Sequence, residues 1–392
     1  MRSGMYVHPW DVVDEGARNI FSSISRTRME FINLAVSYHS GRFFLPHNPT
    51  KKVYYADEGV IYFDPGKDNF RSSKLKPVKS SSYADRDILK ESVDIAHDYG
   101  ITVNAWTVCL HNGRFAVEYP ELAVENMYGE KDMNFLCPVK SDSSRYVKSL
   151  IMSLATGYDI GEIELESAFF PSAFIHGVHH EVMGIRITPV MSYLLSTCFC
   201  QDCFALARSK GINLNESRKH AISYIHDQVL HMRDISNPEE AVDPGLDQAL
   251  MQSGFEEIIS FKNEVSRDLL TEYSEAAHEA GTEISIVSTG RGLAGSGIDL
   301  EFPSHTIKAL DLIAYYQNIS EIKRDVSLIR MKVPRNVSVR TGINMTYPYA
   351  YNTSRLHKSV DAALSAGSDS IIFYNYGWAT ENIIEELQNL HQ

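Results

Sequence analysis

Three glutamates at alternate positions have the spacing in this sequence that most directly suggests chemistry. Glu162, Glu164 and Glu166 are separated by single apolar residues. In a strand, residues two apart share a face, so the three carboxyls point one way. Crowding of like charges raises the pKa of one member, as a general acid requires. We predict Glu166, the last of the three, as the general acid and Glu164 as its catalytic partner.

A structural role for the first two glutamates is the alternative. Carboxyls inside a protein are costly unless they are paired, protonated or used. Glu162 would then lie at a solvated end of the fold, and Glu164 would pair with a buried arginine or lysine. This alternative applies most to Glu162 and least to Glu166.

A cysteine cluster is the second group of residues whose types and spacing suggest chemistry. Cys198, Cys200 and Cys203 fall within six positions, and Cys137 precedes them. Together they would supply four thiolates to a tetrahedral structural zinc ion, although Cys109 or a histidine remains an alternative fourth ligand. Buried free thiols without metal are the competing interpretation. An all-thiolate site is closed, so it would brace a loop, not catalyse a reaction.

Polar and aromatic residues recur where the predicted strands end. Sugar sites combine flat aromatic faces with a few amide, histidine or arginine groups. The residues predicted to bind substrate are His8, Trp10, His39, Asp57, Trp106, His111, Asn112, Tyr316, Arg340, Asn344, Tyr374 and Tyr376.

The elements that must position these residues are eight short β-prone runs alternating with amphipathic helical stretches. Such alternation is typical of a parallel sheet, and eight repeats favour closure into a barrel. We predict an α/β fold, a single (β/α)₈ TIM barrel over residues 1–392, with long insertions after strands 2, 3 and 4. The third insertion, residues 167–250, is predicted to be helical. The predicted strands are Met5–Pro9, Phe31–Tyr38, Ile101–Val108, Gly161–Glu166, Glu283–Thr289, Leu310–Tyr316, Val337–Asn344 and Ser370–Tyr376.

Composition limits the partners. The 392 residues carry a formal net charge of −13, and their lysines and arginines form no basic stripe. This disfavours nucleic acid and anionic membranes as partners. No run has the length of a membrane span or a signal peptide, so we expect a cytoplasmic protein. No glycine-rich phosphate loop follows the first strand, so we expect no organic cofactor. The sequence leaves a homo-oligomer open.

Two family resemblances involve the same strand. Cys137-Pro138, a helix with Arg145 and Tyr146, the strand ending in Glu166 and the Cys198–Cys203 loop together resemble family 42 β-galactosidases. In that family the acid/base glutamate ends strand 4, and a Cys-x-Cys-x-x-Cys loop joins an earlier cysteine around zinc. The alternating acids also resemble the Asp-x-Asp-x-Glu strand of family 18 chitinases, whose last glutamate is the acid. Both resemblances imply that Glu166 is the acid of a barrel glycosidase.

The family 42 pattern also places a nucleophilic glutamate at the end of strand 7, where this sequence has none. Glycoside hydrolysis ordinarily uses two carboxyls, so the second must come from elsewhere. Besides Glu164, the candidates are loop acids, namely Asp57, Glu58, Asp64, Glu181, Asp299 and Glu301.

The function expected from the sequence is cleavage of a glycosidic bond in a small oligosaccharide or glycoconjugate. One alternative is a metal-dependent sugar isomerase, epimerase or lyase that uses the region His176–Glu181. A second alternative is a sugar-binding barrel without catalysis, which the missing strand-7 acid favours.

Overall fold

The computed structural model describes residues 2–66, 68–171, 174, 187–230, 246–288, 298–302 and 305–390. Its centre is a set of eight strands, each close to one of the predicted runs. The strands are β1 (Arg2–Val7), β2 (Phe31–Tyr38), β3 (Thr102–Val108), β4 (Ile163–Glu166), β5 (Ile284–Ser288), β6 (Ala309–Ile313), β7 (Ser338–Asn344) and β8 (Ser370–Tyr374).

These strands form a closed parallel barrel. Neighbours in sequence are neighbours in the sheet from β1 to β8, and β1 pairs with both β2 and β8. The closing ladder places Arg2 opposite Ser370 and Met5 opposite Phe373. The TIM-barrel prediction is confirmed. The first strand begins at Arg2, three residues before its predicted start, because the polar Arg2-Ser3-Gly4 segment still pairs with β8.

Helices cover the outside of the barrel. The described residues include thirteen α-helices: Pro9–Glu15, Ala17–Arg26, Ile88–Ala96, Gly113–Glu118, Ser141–Gly157, Pro189–Leu195, Gln201–Ser209, Leu214–Leu230, Leu246–Gln252, Glu256–Glu279, Ile319–Lys332, Thr353–Ser365 and Glu381–Leu387. Short 3₁₀ turns span Ser81–Tyr83, His97–Tyr99 and Tyr376–Trp378. None of the described helices is both long and apolar enough to cross a membrane.

Three long insertions follow β2, β3 and β4, as predicted. After β2, Gly41–Phe44 and Val53–Ala56 form a hairpin, and Val60–Ile61 pairs antiparallel with the end of β2. After β3, a second hairpin joins Ala123–Glu125 to Lys131–Leu136. After β4, the described residues contain four helices before the long helix Glu256–Glu279. All three insertions leave the C-terminal ends of their strands, where barrels build their sites.

An arginine neutralises the acidic interior of the barrel. Arg340 of β7 donates to Asp311 of β6 through Nε and Nη2, the latter at 2.5 Å, and Nη2 lies 2.5 Å from Glu162 Oε1. Glu162 also accepts a hydrogen bond from Ser285 Oγ at 2.8 Å. Glu162 is only 2 % exposed, so the expectation that it lies at a solvated end is wrong. It is tolerated inside because Arg340 pairs with it.

We expect Arg340→Leu to lower the free energy of unfolding by about 3–5 kcal/mol, because it leaves two buried carboxylates without their partner. Urea unfolding followed by circular dichroism measures this. Arg2→Leu is the matched control, since Arg2 pairs with Glu30 at 3.0 Å on the surface, where an ion pair contributes about 0–1 kcal/mol. Equal effects of the two substitutions would contradict the interior role of Arg340.

Candidate active site

Glu166 is the acid of β4 that reaches the mouth of the barrel. Glu166 as a residue is half-buried, whereas Glu164 is completely buried. Trp106 of β3 lies on the adjacent strand, and its indole Nε1 donates to Glu166 Oε2 at 2.6 Å. The other carboxyl oxygen, Oε1, is therefore the one left for a ligand. The next residue, Ser167, has a φ of 53°, a left-handed turn that directs the chain out of the barrel.

The surroundings of Glu166 favour its protonated form. Burial raises the pKa of the Glu166 carboxyl above its ordinary value, while the neighbouring His39 ring and the Trp106 hydrogen bond oppose this rise. A raised pKa is what a carboxyl needs in order to hold a proton near neutral pH.

Aromatic rings form the walls around this carboxyl. Tyr315 and Tyr374 stack with their centroids 4.9 Å apart, and the charge of Glu166 raises the pKa of both hydroxyls, in addition to the larger effect of burial. The His39 ring stacks on Tyr38 at 4.4 Å and on His111 at 4.2 Å. The result is a site with flat apolar faces and a few polar edges, the composition that sugars require.

Glu164 lies beneath this site, inside the barrel. The Tyr6 hydroxyl donates to Glu164 Oε1 at 2.5 Å. Burial and the neighbouring charge of Asp311 raise the pKa of Glu164 well above its ordinary value, so we infer that it carries a proton. Its predicted catalytic role stays a prediction.

A second aromatic group surrounds the end of β1. The His8 ring is fully buried and stacks on Trp10 at 4.2 Å, and burial lowers the pKa of His8 to about 3. Trp10 is also fully buried and stacks on Tyr54 at 4.3 Å. Trp378 lies 5.5 Å from His8 and is partly exposed. Trp10, predicted to bind substrate, is thus buried, whereas Trp378 is the more exposed of the two.

Several predicted substrate-binding residues are engaged in bonds within the protein. Asn112 caps the helix Gly113–Glu118, and Arg340 neutralises the barrel interior. The other bonds join Tyr316 to Asp325, Tyr376 to Glu15, Asp57 to Ser80 and Asn344 to Thr346. Tyr315, next to Tyr316, is the residue whose ring packs against Tyr374. Adjacent residues near a strand end point to different sides. Tyr315 therefore faces Tyr374, whereas Tyr316, the tyrosine predicted to bind substrate, faces Asp325.

The described loop acids all have partners. Glu58 accepts backbone N–H groups from Gly113 at 2.7 Å and Ser40 at 2.9 Å, which places it beside His39. The remaining bonds join Asp64 to the Gly66 N–H, Asp299 to Arg267 and Glu301 to Lys332. Glu181 and the rest of the region His176–Glu181 lie outside the described residues. Among the described candidate acids, Glu58 is the one bonded to the residue that follows His39.

The four predicted cysteine ligands come together, which makes them a candidate metal centre. Their sulfur atoms all lie within 4.8 Å of one another. Three of the Sγ–Sγ distances are 3.6 to 3.9 Å, namely Cys137–Cys203, Cys200–Cys203 and Cys137–Cys200. A tetrahedral ion with sulfur ligands at about 2.3 Å requires edges of about 3.8 Å, whereas a disulfide requires about 2.05 Å. The cluster can hold a metal ion.

A buried carboxyl supports the turn after β8. Asp11 is fully buried and accepts the backbone N–H of His8 at 3.1 Å. A Cβ atom at Gly377 would lie 2.2 Å from the carboxyl of Asp11, so only glycine fits there. Burial raises the pKa of Asp11 to about 8.

This shift predicts a pH dependence of stability. The folded state holds the Asp11 proton up to about pH 8, whereas the unfolded chain loses it near the ordinary value of 3.8. The stabilisation is therefore complete below about pH 4 and is lost as the pH rises toward 8. We expect the decline in unfolding free energy from pH 5 to pH 8 to be smaller in Asp11→Asn than in wild type, as measured by urea unfolding.

Asp94→Asn, at an exposed ion pair with Lys90, is the control and should retain the wild-type decline. An Asp11→Asn variant with an unchanged decline would show that Asp11 is ionised in the folded protein.

Comparisons with known proteins bear on the fold alone. No protein-family model matches the chain, and no curated protein sequence is significantly similar. Among solved structures, the glycoside hydrolase domain of PgaB (BpsB) from Bordetella bronchiseptica aligns with a TM-score of 0.58 at 11% identity. That alignment covers 100% of this chain and 98% of the other.

Two further structures share the barrel. α-L-fucosidase isoenzyme 2 from Paenibacillus thiaminolyticus aligns with a TM-score of 0.55 and 13% identity, over 99% of this chain and 48% of its own. A β-galactosidase from the haloarchaeon Halorubrum lacusprofundi aligns with a TM-score of 0.56 at 10% identity. That alignment covers 99% of this chain and 57% of the β-galactosidase. The chain thus spans about half the length of these two proteins. Its fold is the closed TIM barrel found in these glycoside hydrolases.

Proposed function

We propose that this protein is a glycoside hydrolase that cleaves an oligosaccharide or glycoconjugate, with Glu166 as the general acid. One observation carries the proposal. Glu166 combines exposure at the mouth, a fixed carboxyl orientation through Trp106 and a raised pKa. The glycosidases that share the fold are consistent with this role.

Proton transfer from Glu166 to the glycosidic oxygen is the step that this geometry suits. Oε2 is held by Trp106 Nε1, so Oε1 would present the proton to the leaving group. When the carboxyl ionises, the Trp106 N–H and the neighbouring His39 ring stabilise the carboxylate, since both lower the Glu166 pKa. Tyr315, Tyr374 and Trp106 would flank the sugar ring.

The second carboxyl has two described candidates. Glu164 is protonated by our inference and buried behind Tyr6, which suits electrostatic support of Glu166. Glu58 lies beside His39 with both oxygens bound by backbone N–H groups. The distance between the two catalytic carboxyls decides the stereochemical outcome: about 5–5.5 Å favours retention of the anomeric configuration, and about 6.5–9.5 Å favours its inversion.

A substrate of more than one sugar unit is supported by the loop after β7. Tyr347 is 79 % exposed, and its ring lies 5.3 Å from that of the exposed Tyr351. Tyr349 of the same loop packs 6.3 Å from Tyr315. Aromatic rings therefore continue outward from the candidate site, where a further sugar unit would stack.

Two alternatives differ in what they require. A metal-dependent isomerase, epimerase or lyase would use the region His176–Glu181. Among the residues that the structure describes, the group with metal-ligand geometry is the cysteine cluster, and it is closed. A non-catalytic sugar-binding barrel is favoured by one observation, that each described loop acid already has a partner.

We further propose that the cysteine cluster binds a structural zinc ion. The sulfur spacing matches a tetrahedral all-thiolate site. Cys137 follows the hairpin after β3, whereas the other three cysteines belong to the insertion after β4. The ion would therefore join the two insertions and brace them beside the mouth. It would supply structural support, not chemistry.

We expect Glu166→Gln to lower kcat by about 10²- to 10⁴-fold, because glutamine has no proton to donate. Turnover would be measured on a panel of 4-nitrophenyl glycosides and defined oligosaccharides. Wild-type activity should fall on the alkaline side as Glu166 ionises, and the variant should lack this limb.

Glu164→Gln and Glu58→Gln are the matched substitutions. Retained activity in Glu164→Gln would assign that residue a structural role, and a loss in Glu58→Gln would identify the second carboxyl. Full turnover by Glu166→Gln contradicts the assignment of the acid. Tight sugar binding by wild type without any turnover would favour the non-catalytic barrel.

The zinc proposal predicts about one zinc ion per chain by elemental analysis. Cys200→Ser should lose the ion and unfold at a lower temperature, because one ligand is missing. Cys109→Ser is the control, since Cys109 is buried outside the cluster and its loss should leave the zinc content unchanged. Metal-free wild-type protein with unchanged thermal stability in a strong chelator would disprove the zinc site.

A further inference from the structure

Three buried donor groups near the mouth of the barrel lack hydrogen-bond partners. They are the indole N–H groups of Trp10 and Trp378 and the side-chain amide nitrogen of Asn375, none of which has a partner among the described residues. Trp10 and Asn375 are fully buried. Buried polar groups are nearly always hydrogen-bonded, because an unpaired donor away from water is costly. Three such groups therefore require an explanation.

The three residues follow β1 and β8, at the mouth of the barrel. Trp10 stacks on the His8 ring with the centroids 4.2 Å apart, and Trp378 lies 5.5 Å from the same ring. Asn375 is the N-cap of the 3₁₀ turn that contains Trp378. We call His8, Trp10, Asn375 and Trp378 the covered cluster. It adjoins the candidate site, since the His8 ring is 5.4 Å from the ring of Trp106, whose N–H holds the candidate acid.

The hairpin of residues 41–56, after β2, lies over the covered cluster. Its two strands pair with each other, and in the described part of the chain neither joins the barrel sheet. Phe43 lies 5.0 Å from Trp378 and 5.4 Å from Trp10, and Tyr54 stacks on Trp10 at 4.3 Å. The side chains on the other face of the hairpin are exposed. The hairpin therefore separates the unpaired donors from solvent.

Polar bonds hold the turn of this hairpin to the helix after β1. Lys51 Nζ lies 2.9 Å from Asp14 Oδ1, and Asn48 Nδ2 donates to Asp14 Oδ2 at 3.1 Å. His47 Nε2 lies 3.2 Å from Glu15 Oε1. Ion pairs and hydrogen bonds, and not a sheet ladder, thus fasten the hairpin at its far end.

The base of the hairpin is fixed by one carboxylate. Glu58 accepts the backbone N–H of Ser40 at 2.9 Å and that of Gly113 at 2.7 Å. Ser40 directly precedes the hairpin, and Glu58 is the second residue after it. The base is therefore held to the loop after β3, whereas the turn is held by polar bonds. A fixed base and a polar latch at the turn are the arrangement of a lid.

We propose that residues 41–56 form a lid over the covered cluster, and that the open lid admits a neutral sugar unit whose hydroxyl oxygens accept hydrogen bonds from Trp10, Trp378 and Asn375. This inference rests on the proposed function, because it takes the ligand to be a sugar. The three donors are uncharged, and burial lowers the pKa of His8 to about 3, so its ring is neutral as well. Flat rings with uncharged donors suit the C–H faces and hydroxyls of a neutral sugar. An acidic sugar would require a cation.

The first test is the accessibility of the tryptophans, measured by acrylamide quenching of their fluorescence. The protein has three tryptophans, and the lid contacts two of them. Asp14→Ala removes two bonds to the turn, so the open population should rise about tenfold and quenching should increase. Asp98→Ala is the matched control, because Asp98 pairs with Arg18 at the surface, and it should be quenched like wild type. Adding Trp10→Phe to Asp14→Ala should remove much of the increase. Circular dichroism verifies that each variant is folded.

The second test is sugar binding, measured by isothermal titration calorimetry with galactose, fucose, N-acetylglucosamine and glucuronate. At least one neutral sugar should bind, and glucuronate should bind more weakly. Asn375→Asp keeps the oxygen that accepts the Gly377 N–H at 3.0 Å and removes the donor, whereas Trp378→Phe keeps a ring and removes the indole N–H. Each should weaken binding of the neutral sugar about two- to tenfold, the range for one lost hydrogen bond. Asn213→Asp is the matched control, since Asn213 caps an exposed helix end elsewhere.

Quenching of Asp14→Ala equal to that of wild type would overturn the lid. The ligand assignment would be overturned if no neutral sugar bound, if glucuronate bound as tightly as the neutral sugars, or if Asn375→Asp and Trp378→Phe both bound like wild type. The two proposals can fail separately. Sugar binding that depends on the covered cluster, without turnover, would contradict only the acid role of Glu166. Turnover together with binding that ignores both substitutions would contradict only the covered cluster.

Discussion

The ion pairs of Arg340 with Asp311 and Glu162 are the interaction on which the rest of this barrel depends. Closing eight strands directs alternate side chains into one interior, and a strand with three acids on that face would be costly there without a cation. Arg340 is supplied by β7, three strands away around the sheet from β4. With Glu162 paired with Arg340 and Glu164 protonated by inference, Glu166 is the acid of β4 that remains able to exchange a proton at the mouth. The ion pairs inside the barrel therefore leave the mouth as the place where an acid of β4 can react.

The same alternation explains how far the sequence alone could lead. Strand order and closure follow from eight apolar runs separated by helices, because a parallel strand needs a long crossover and the barrel needs eight. Glu166 is at the mouth because it is the last residue of β4. The burial of Glu162 could not be predicted in this way, because its partner Arg340 is distant in sequence. The placement of Tyr315 against Tyr374, instead of Tyr316, depends on the exact residue at which β6 ends, which residue patterns do not fix.

The cysteine cluster could be predicted from the spacing of its residues, but the side chains around it could not. Three cysteines in six positions indicate a metal loop, and among the described residues the fold brings Cys137, and not Cys109, to them. Because Cys137 lies about sixty residues before the other three in the chain, only the folded protein shows which cysteine completes the cluster.

The ladder between β1 and β8 has a consequence for the order of folding. It joins Arg2 to Ser370, so nearly the whole chain forms the loop that this contact closes. Contacts of such long range carry the largest loop-closure entropy and form late in folding. Tyr6 and His8, in and just after β1, contribute to the interior and mouth of the barrel. The site is thus complete only when the barrel closes, and partly folded chains would lack both its aromatic walls and the Tyr6 bond to Glu164.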